Sequence, residues 1–283
     1  MTTALILEGG AKRGIYTAGV LDVLLENGLT ADAVFGVSAG AIHGCSFVAG
    51  QQGRSIRYNL KYGNDPRFMS LKSWLKTGNV VDVEFCYHEL PDKLDPFDHE
   101  AFENAAAKFY TVCSNVETGQ AEYILCPSLR GDKINYLRAS ASLPFLSKIV
   151  ETGGKKLLDG GICDSIPLKA AQNMDYGRNL VILTRPEGYR KKPAHNGWLA
   201  RLVYRKYPAF AAAIARRHIM YNQELDYIAE QEKLGQTLVL RPSRLIKIGK
   251  MEADLGIVRQ MYELGRQDAL ARLAEIKDFL QKD

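Results

Sequence analysis

The chain has 283 residues, 46% of them hydrophobic and 24% charged, with a formal net charge of +5. Those values are ordinary for a globular protein, and the length suffices for one large core or two modest ones. No run of about 18 apolar residues occurs, so a membrane-spanning helix is not expected. Internal repeats and low-complexity segments are absent.

The first apolar run, Ala4–Leu7, enters Gly9-Gly10 and reads as a buried strand closed by a tight loop. The start of the chain lacks a basic segment and a long apolar stretch, so it reads as that strand and not as a signal peptide. Ile15, Val20, Leu21, Leu24 and Leu25 recur at helical spacing, and Asn27-Gly28 ends that helix. Ala33–Val37 predicts a second strand and Ala39–Ala49 a small-residue helix. Residues 51–108, broken by Pro66, Pro91 and Pro96, read as helices and loops that cap a site. Two strand-like runs, Phe109–Asn115 and Glu122–Pro127, are split by a turn at 117–120. Ile149-Val150 and Leu157-Leu158 flank a hairpin signal at 152–155. Asn179–Thr184 and Thr237–Leu240 predict further strands, while Leu199–Leu234 and Glu252–Phe279 are mainly helical. Alternating strands and helices indicate an α/β protein with a largely parallel sheet. The expected division is 1–172 as a first region and 173–283 as an extension of the same sheet, not an independent domain.

Five cysteines, Cys45, Cys86, Cys113, Cys126 and Cys163, form no C-x-x-C pair. Free thiols in a reducing, cytoplasmic compartment are expected. No His or Cys pair has zinc-type spacing and no D-x-D-x-D-G calcium loop is present, so neither metal nor cofactor is expected.

Three segments carry chemistry. Gly36-Val37-Ser38-Ala39-Gly40 lies between a predicted strand and a predicted helix, the setting of a nucleophile elbow that presents a serine hydroxyl at the tip of a sheet. Glu8-Gly9-Gly10-Ala11-Lys12-Arg13-Gly14 is a glycine loop that aims backbone N–H groups at one spot near a positive helix end, where oxyanion charge can develop. Leu157-Leu158-Asp159-Gly160-Gly161 offers an acid followed by space. Singly, each has a plain structural reading: a helix-cap serine, a loop, a turn acid. Asp164 reads as a capping acid ahead of Ile166-Pro167.

Together the segments resemble the patatin-like phospholipases. That family carries G-G-G-x-[RK]-G, then G-x-S-x-G, then D-G-[GA], with an A-S-x-S-x-P-type stretch before the acid. Here these are Gly9–Gly14, Gly36–Gly40, Asp159-Gly160-Gly161 and Ala139-Ser140-Ala141-Ser142-Leu143-Pro144, in order over about residues 4–172. The resemblance implies a three-layer α/β/α fold and a lipid acyl hydrolase with a Ser-Asp dyad and no histidine in the pair. Ser38 would be the nucleophile and Asp159 the base. The amides of Gly9, Gly10, Ala11 and Ala39 would form the oxyanion hole, with Arg13, Gly14, Gly36, Gly40, Gly160 and Gly161 supporting the motifs. Ala11 stands where the family has its third glycine; a positive φ there would be strained.

An unperturbed aspartate is too weak a base for a serine hydroxyl, so partial desolvation of Asp159 is expected to raise its basicity. A Ser-Asp-His triad using His195 or His218 is the mechanistic rival, although neither sits in a motif. His43 is expected to pack on the elbow helix, while His88 and His99 carry no signal. A dinucleotide role for the glycine loop is disfavoured by Ala11 and by Asp32 lying before the second strand. Arg13 reads first as a loop-holding salt bridge and second as an anchor for lipid phosphate.

Residues 185–217 hold nine Lys/Arg against one acid, Glu187, interleaved with Trp198, Leu202, Tyr204 and Phe210. A solvated basic face is the first reading. An interfacial segment meeting an anionic membrane surface is the second. No nucleic-acid motif accompanies the charge, so nucleic acid is not an expected partner. The expected substrate is a lipid or other acyl ester. The alternatives are a non-catalytic lipid-binding protein on the same fold and a small-acyl esterase or thioesterase.

Overall fold

Alternation of apolar side chains in short strands fixes the centre of the molecule. The computed structural model describes residues 1–194 and 197–281. Strand β1 (Thr3–Leu7) runs through the glycine loop into α1 (Ile15–Glu26). Next, β2 (Ala33–Val37) passes through Ser38 into α2 (Ala39–Val48). The segment 51–108 holds α3 (Arg54–Tyr62), α4 (Leu71–Thr77), a π-helical stretch (Phe85–Leu94) and α5 (His99–Glu103). A hairpin, β3 (Lys108–Asn115) and β4 (Ala121–Leu125), precedes α6 (Ile134–Ser140). A second hairpin, β5 (Val150–Thr152) and β6 (Lys155–Asp159), leads to α7 (Leu168–Asn173) and β7 (Arg178–Ile182). The chain continues through α8 (Gly197–Val203), α9 (Pro208–Lys233), β8 (Thr237–Leu240), α10 (Leu255–Ala271) and α11 (Leu273–Gln281).

The strands form one mixed, mostly parallel sheet in the order β5-β6-β3-β2-β1-β7-β8, with β4 paired to β3. Parallel pairs join β3, β2, β1, β7 and β8; the hairpin pairings and β3–β6 are antiparallel. Leu5, Leu7, Leu180 and Ile182 face one core shared with α1, α2 and α10. Ala4, Ile6, Phe35 and Val181 face the other, covered by Leu168 of α7 and Tyr221 and Ile228 of α9. Helices therefore flank both faces of the sheet. Phe35 is fully buried and stacks on Tyr110 at 4.4 Å between centroids. Burying such a side chain contributes about 1.5–3 kcal/mol.

One register positions the site. Strand β4 occupies one edge of β3, so β2 and β6 share the other. β2 runs parallel to β3 and ends with Val37 opposite Val112. β6 runs antiparallel and ends with Asp159 opposite Cys113, the next residue. Two strands thus approach head-on and stop at adjacent residues of a third. Ser38 follows the end of one and Asp159 is the end of the other.

Candidate active site

The strand-to-helix turn at Ser38 is sharp. Its backbone sits at φ 53°, ψ −119°, a conformation L-residues avoid and functional turns retain. The turn closes because Gly40 approaches the sheet: a Cβ there would stand 2.4 Å from the Leu7 carbonyl oxygen. Gly36 packs on Ala41 from the strand side. Ser38 itself is buried, at 6% exposure.

The A-S-x-S-x-P stretch clamps both sides of the strand junction. Ser140 Oγ accepts the Ser38 amide at 2.9 Å and donates to the Val112 carbonyl at 2.6 Å. The Ser142 carbonyl accepts the Asp159 amide at 2.9 Å. These roles were not assigned from sequence, although the stretch itself was visible there.

Asp159 is 3% exposed. Its Oδ1 accepts the Gly161 amide at 2.9 Å. Ser114 Oγ donates to the Asp159 carbonyl at 2.8 Å, Ser165 Oγ to the Gly161 carbonyl at 2.8 Å, and Arg217 Nε also to the Gly161 carbonyl. Gly160 is required by close approach, since a Cβ would meet the Val112 oxygen at 2.2 Å. Asp159 Oδ2 has no hydrogen bond of ordinary geometry. No hydrogen bond of ordinary geometry joins the Ser38 hydroxyl to Asp159, although Ser38 favours the charged carboxylate; catalytic hydrogen bonds are often long in unliganded sites. Burial pushes the Asp159 carboxyl above the usual aspartate range, opposed by Arg217, by Ser38 and by the Gly161 amide.

The glycine loop reaches the same place. Gly9 lies against the elbow: a Cβ there would stand 3.1 Å from Val37 Cγ1 and 3.3 Å from Ser38 Cβ. Gly10 packs on Thr184, and Gly14 packs on Ala39 and His43. Ala11 sits at φ 49°, the strained alternative foreseen for an alanine in this loop. Ala11 and Ala39 each open a helix, so their N–H groups have no intrahelical partner. Glu8 anchors the loop: its Oε2 accepts from the Thr184 amide at 2.5 Å and its Oε1 from the Tyr221 hydroxyl at 2.7 Å.

Ser38, Ala39 and Ala11 open into a cavity of about 620 Å³. Tyr58, Phe68, Leu90 and Phe97 of the 51–108 segment line it, together with Ile42 and Leu143. That volume suits a small-molecule ligand. Lys12 also lines it, donating to Asn59 Oδ1 at 3.1 Å, and burial pulls its ammonium down to about 8. His43 lines the cavity and is bonded to Ser55 Oγ at 3.0 Å. Burial, then Lys12, pulls it down to about 3, so the ring is neutral at physiological pH.

Other expectations fare differently. Asp164 caps as expected, Oδ1 accepting from the Ile166 amide at 3.1 Å. Arg13 does not form the expected salt bridge: no carboxylate pairs with it among the described residues, and its Nε is buried without a partner. The loop is held by the neighbouring carboxylate, Glu8, through neutral donors instead. His195 lies outside the described residues. His218 Nδ1 has no hydrogen-bond partner, and none of the described histidines is bonded to Asp159. No cluster of three or more His, Cys, Asp or Glu among the described residues could hold a metal ion.

An α/β sheet that delivers a strained serine and a buried carboxylate to one point beside an apolar cavity defines a candidate hydrolase site. The sequence profile of the patatin-like phospholipases matches residues 5–171, and a domain of unknown function, DUF6363, matches 207–281. The chain belongs to the patatin-like phospholipase family. Uncharacterized protein YjjU of Escherichia coli is 29% identical over 202 residues, covering 70% of this chain and 56% of the relative. Lysophospholipase nte1 of Emericella nidulans is 26% identical over 297 residues, covering 98% of this chain but 18% of the relative. The chain therefore spans little more than half of the first of these relatives and under a fifth of the second. The structure of VipD from Legionella pneumophila aligns with 97% of this chain and 67% of its own, at TM-score 0.47 and 11% identity.

Proposed function

We propose that this protein is a serine acyl hydrolase of lipid esters, acting on phospholipids or lysophospholipids through a Ser38–Asp159 dyad. The observation that carries the reading is the meeting of β2 and β6 on adjacent residues of β3, beside an apolar cavity. Family membership supports the substrate class.

Ser38 Oγ attacks the ester carbonyl carbon while its proton passes to Asp159. Burial makes that carboxylate a stronger base than free aspartate. Amides of Gly10, Ala11 and Ala39, with Gly9 shaping the loop, meet the oxyanion. Collapse expels the alcohol, which leaves with the proton from Asp159. Water, giving its proton to Asp159, then attacks the acyl-serine, and the carboxylic acid departs as Ser38 regains its hydrogen. Residues 1–172 form the catalytic region. Residues 173–283 are an integral extension, a reading supported by the parallel pairing of β7 and β8 beside β1.

A peripheral membrane contact fits two exposed apolar patches. Leu71 and Leu75 of α4 and Trp198 and Leu202 of α8 are exposed, amid Lys72, Lys76, Arg201 and Arg205. Phe145 ties the patches together: its carbonyl accepts from Trp74 Nε1 at 3.2 Å and its amide donates to the Tyr204 hydroxyl at 3.1 Å. No described helix is long and apolar enough to cross a membrane. Binding to anionic vesicles is expected to be salt-sensitive; equal binding to neutral vesicles would remove this contact.

A fluorophosphonate probe should label the wild type and spare Ser38→Ala. Failure to label folded wild type would instead favour a lipid-binding protein. Comparing p-nitrophenyl butyrate with a long-chain phospholipid separates a small-acyl esterase from a lipase. Turnover should survive His195→Ala and His218→Ala; its loss in either would point to a triad.

A further inference from the structure

The nine cations of residues 185–217 divide into two sets. Lys192, Arg201, Arg205, Lys206 and Arg216 are exposed, and Arg190 pairs with Asp226. Arg185, Lys191 and Arg217 are partly buried, and Arg217 bonds to the Gly161 carbonyl of the Asp159 loop. A terminal nitrogen of Arg217 and Asp159 Oδ1 each lie 3.1 Å from the point where a Gly161 Cβ would stand. One turn further along α9, the Tyr221 ring carries Lys191 Nζ at 4.3 Å from its centre. Tyr189 packs edge-on to Tyr221 at 6.0 Å and carries the Arg185 guanidinium at 4.5 Å. Arg13 has a buried Nε without a partner, and burial followed by the charge of Arg185 pulls its guanidinium down, while the charges of Arg217, Arg13 and Arg185 act on the exposed Lys250.

None of these five side chains forms an ion pair among the described residues. The nearby carboxylates do not neutralise them in pairs: Glu8 accepts from Thr184 and Tyr221, and Asp159 from Gly161. Burial and then Arg217 pull Lys191 down to about 8, and the same two causes lower Lys250. Crowded, partly desolvated cations favour an anion with several acceptor oxygens. None of the five lines the apolar cavity.

We propose that Arg185, Lys191, Arg217 and Lys250, with Arg13, form a phosphate-binding subsite beside Asp159. A bound lipid then straddles the dyad, its acyl chain in the apolar cavity and its phosphate among the cations. This lipid pose rests on the hydrolase reading; the anion site does not.

The test uses Lys191→Gln/Lys250→Gln, because neither side chain is hydrogen-bonded to the catalytic loops. Calorimetric binding of inorganic phosphate to the Ser38→Ala protein, at fixed ionic strength, should weaken about tenfold or more when the double change is added. In the Ser38-containing enzyme, the kcat/KM ratio for a lysophospholipid over a monoacylglycerol of the same chain should fall by about tenfold. Loss of phosphate binding with the ratio intact keeps the subsite and assigns it to free phosphate. No phosphate binding by the parent, or equal binding by the double variant, overturns the subsite. If the wild type hydrolyses neither lipid, the hydrolase reading fails while the calorimetry still decides the subsite.

Discussion

The two sides of Asp159 are built on different principles. Toward Ser38, geometry is set by backbone: a strained elbow, a glycine loop and two strand ends held by hydrogen bonds. Toward α9, it is set by long cationic side chains drawn from distant parts of the chain. Backbone construction demands particular small residues at fixed spacing, because a Cβ at Gly40 or Gly160 would collide with a carbonyl. Side-chain construction demands only charge and reach, which many arrangements satisfy. The first side should therefore fail abruptly under substitution and the second by degrees.

The sharpest break is at the reacting groups. Ser38→Ala should abolish turnover, and Asp159→Asn should lower kcat by about a thousandfold or more, with probe labelling and steady-state kinetics as the measures. Ser140→Ala comes next. It leaves the Ser38 amide and the Val112 carbonyl without their shared partner, at a cost of about 1–3 kcal/mol. Urea denaturation should show that loss, and kcat should fall more than the stability change implies.

On the cationic side the effect is graded and depends on pH. Asp159 must be ionised to act as base, so activity should rise with pH through its raised carboxyl value. Arg217→Gln removes the largest influence opposing that rise, so the acid limb should move to higher pH. An unmoved limb would show that Arg217 only props the loop. Stability carries the opposite sign. A folded carboxyl raised above its unfolded value holds its proton more tightly when folded, so its contribution is present in acid and lost as pH rises through the folded value. Asp159→Asn should consequently be more stable than wild type at neutral pH, with the gain fading in acid.

The smallest expected effect is at Ala11. Ala11→Gly relieves a positive φ but loosens the unfolded chain, leaving a net gain on the order of 0.5 kcal/mol in a thermal melt.

Much of this was legible beforehand, for a physical reason. Strands β1, β2 and β7 are short apolar runs, and α1 carries helical spacing with an Asn-Gly stop, so local sequence fixed their kind and approximate limits. Ser38 and Asp159 were marked by the glycines around them. Helices α6 and α7 are short and were not anticipated, since seven and six residues give little periodicity to read. Arg217 was visible only as one cation among nine. Its place beside Gly161 depends on how α9 packs across the sheet, which no local pattern records. The expected partner for Arg13 failed similarly: charge is read from sequence, but pairing requires coordinates.

If Ser38 and Asp159 act as the proposed dyad, the abutment of β2 and β6 on one edge of β3 makes catalytic competence a report on assembly. Until β2, β3 and β6, the first and last of them more than a hundred residues apart in the chain, have docked, Ser38 has no carboxylate beside it. A partly folded chain would carry both groups yet keep them apart until those strands have paired.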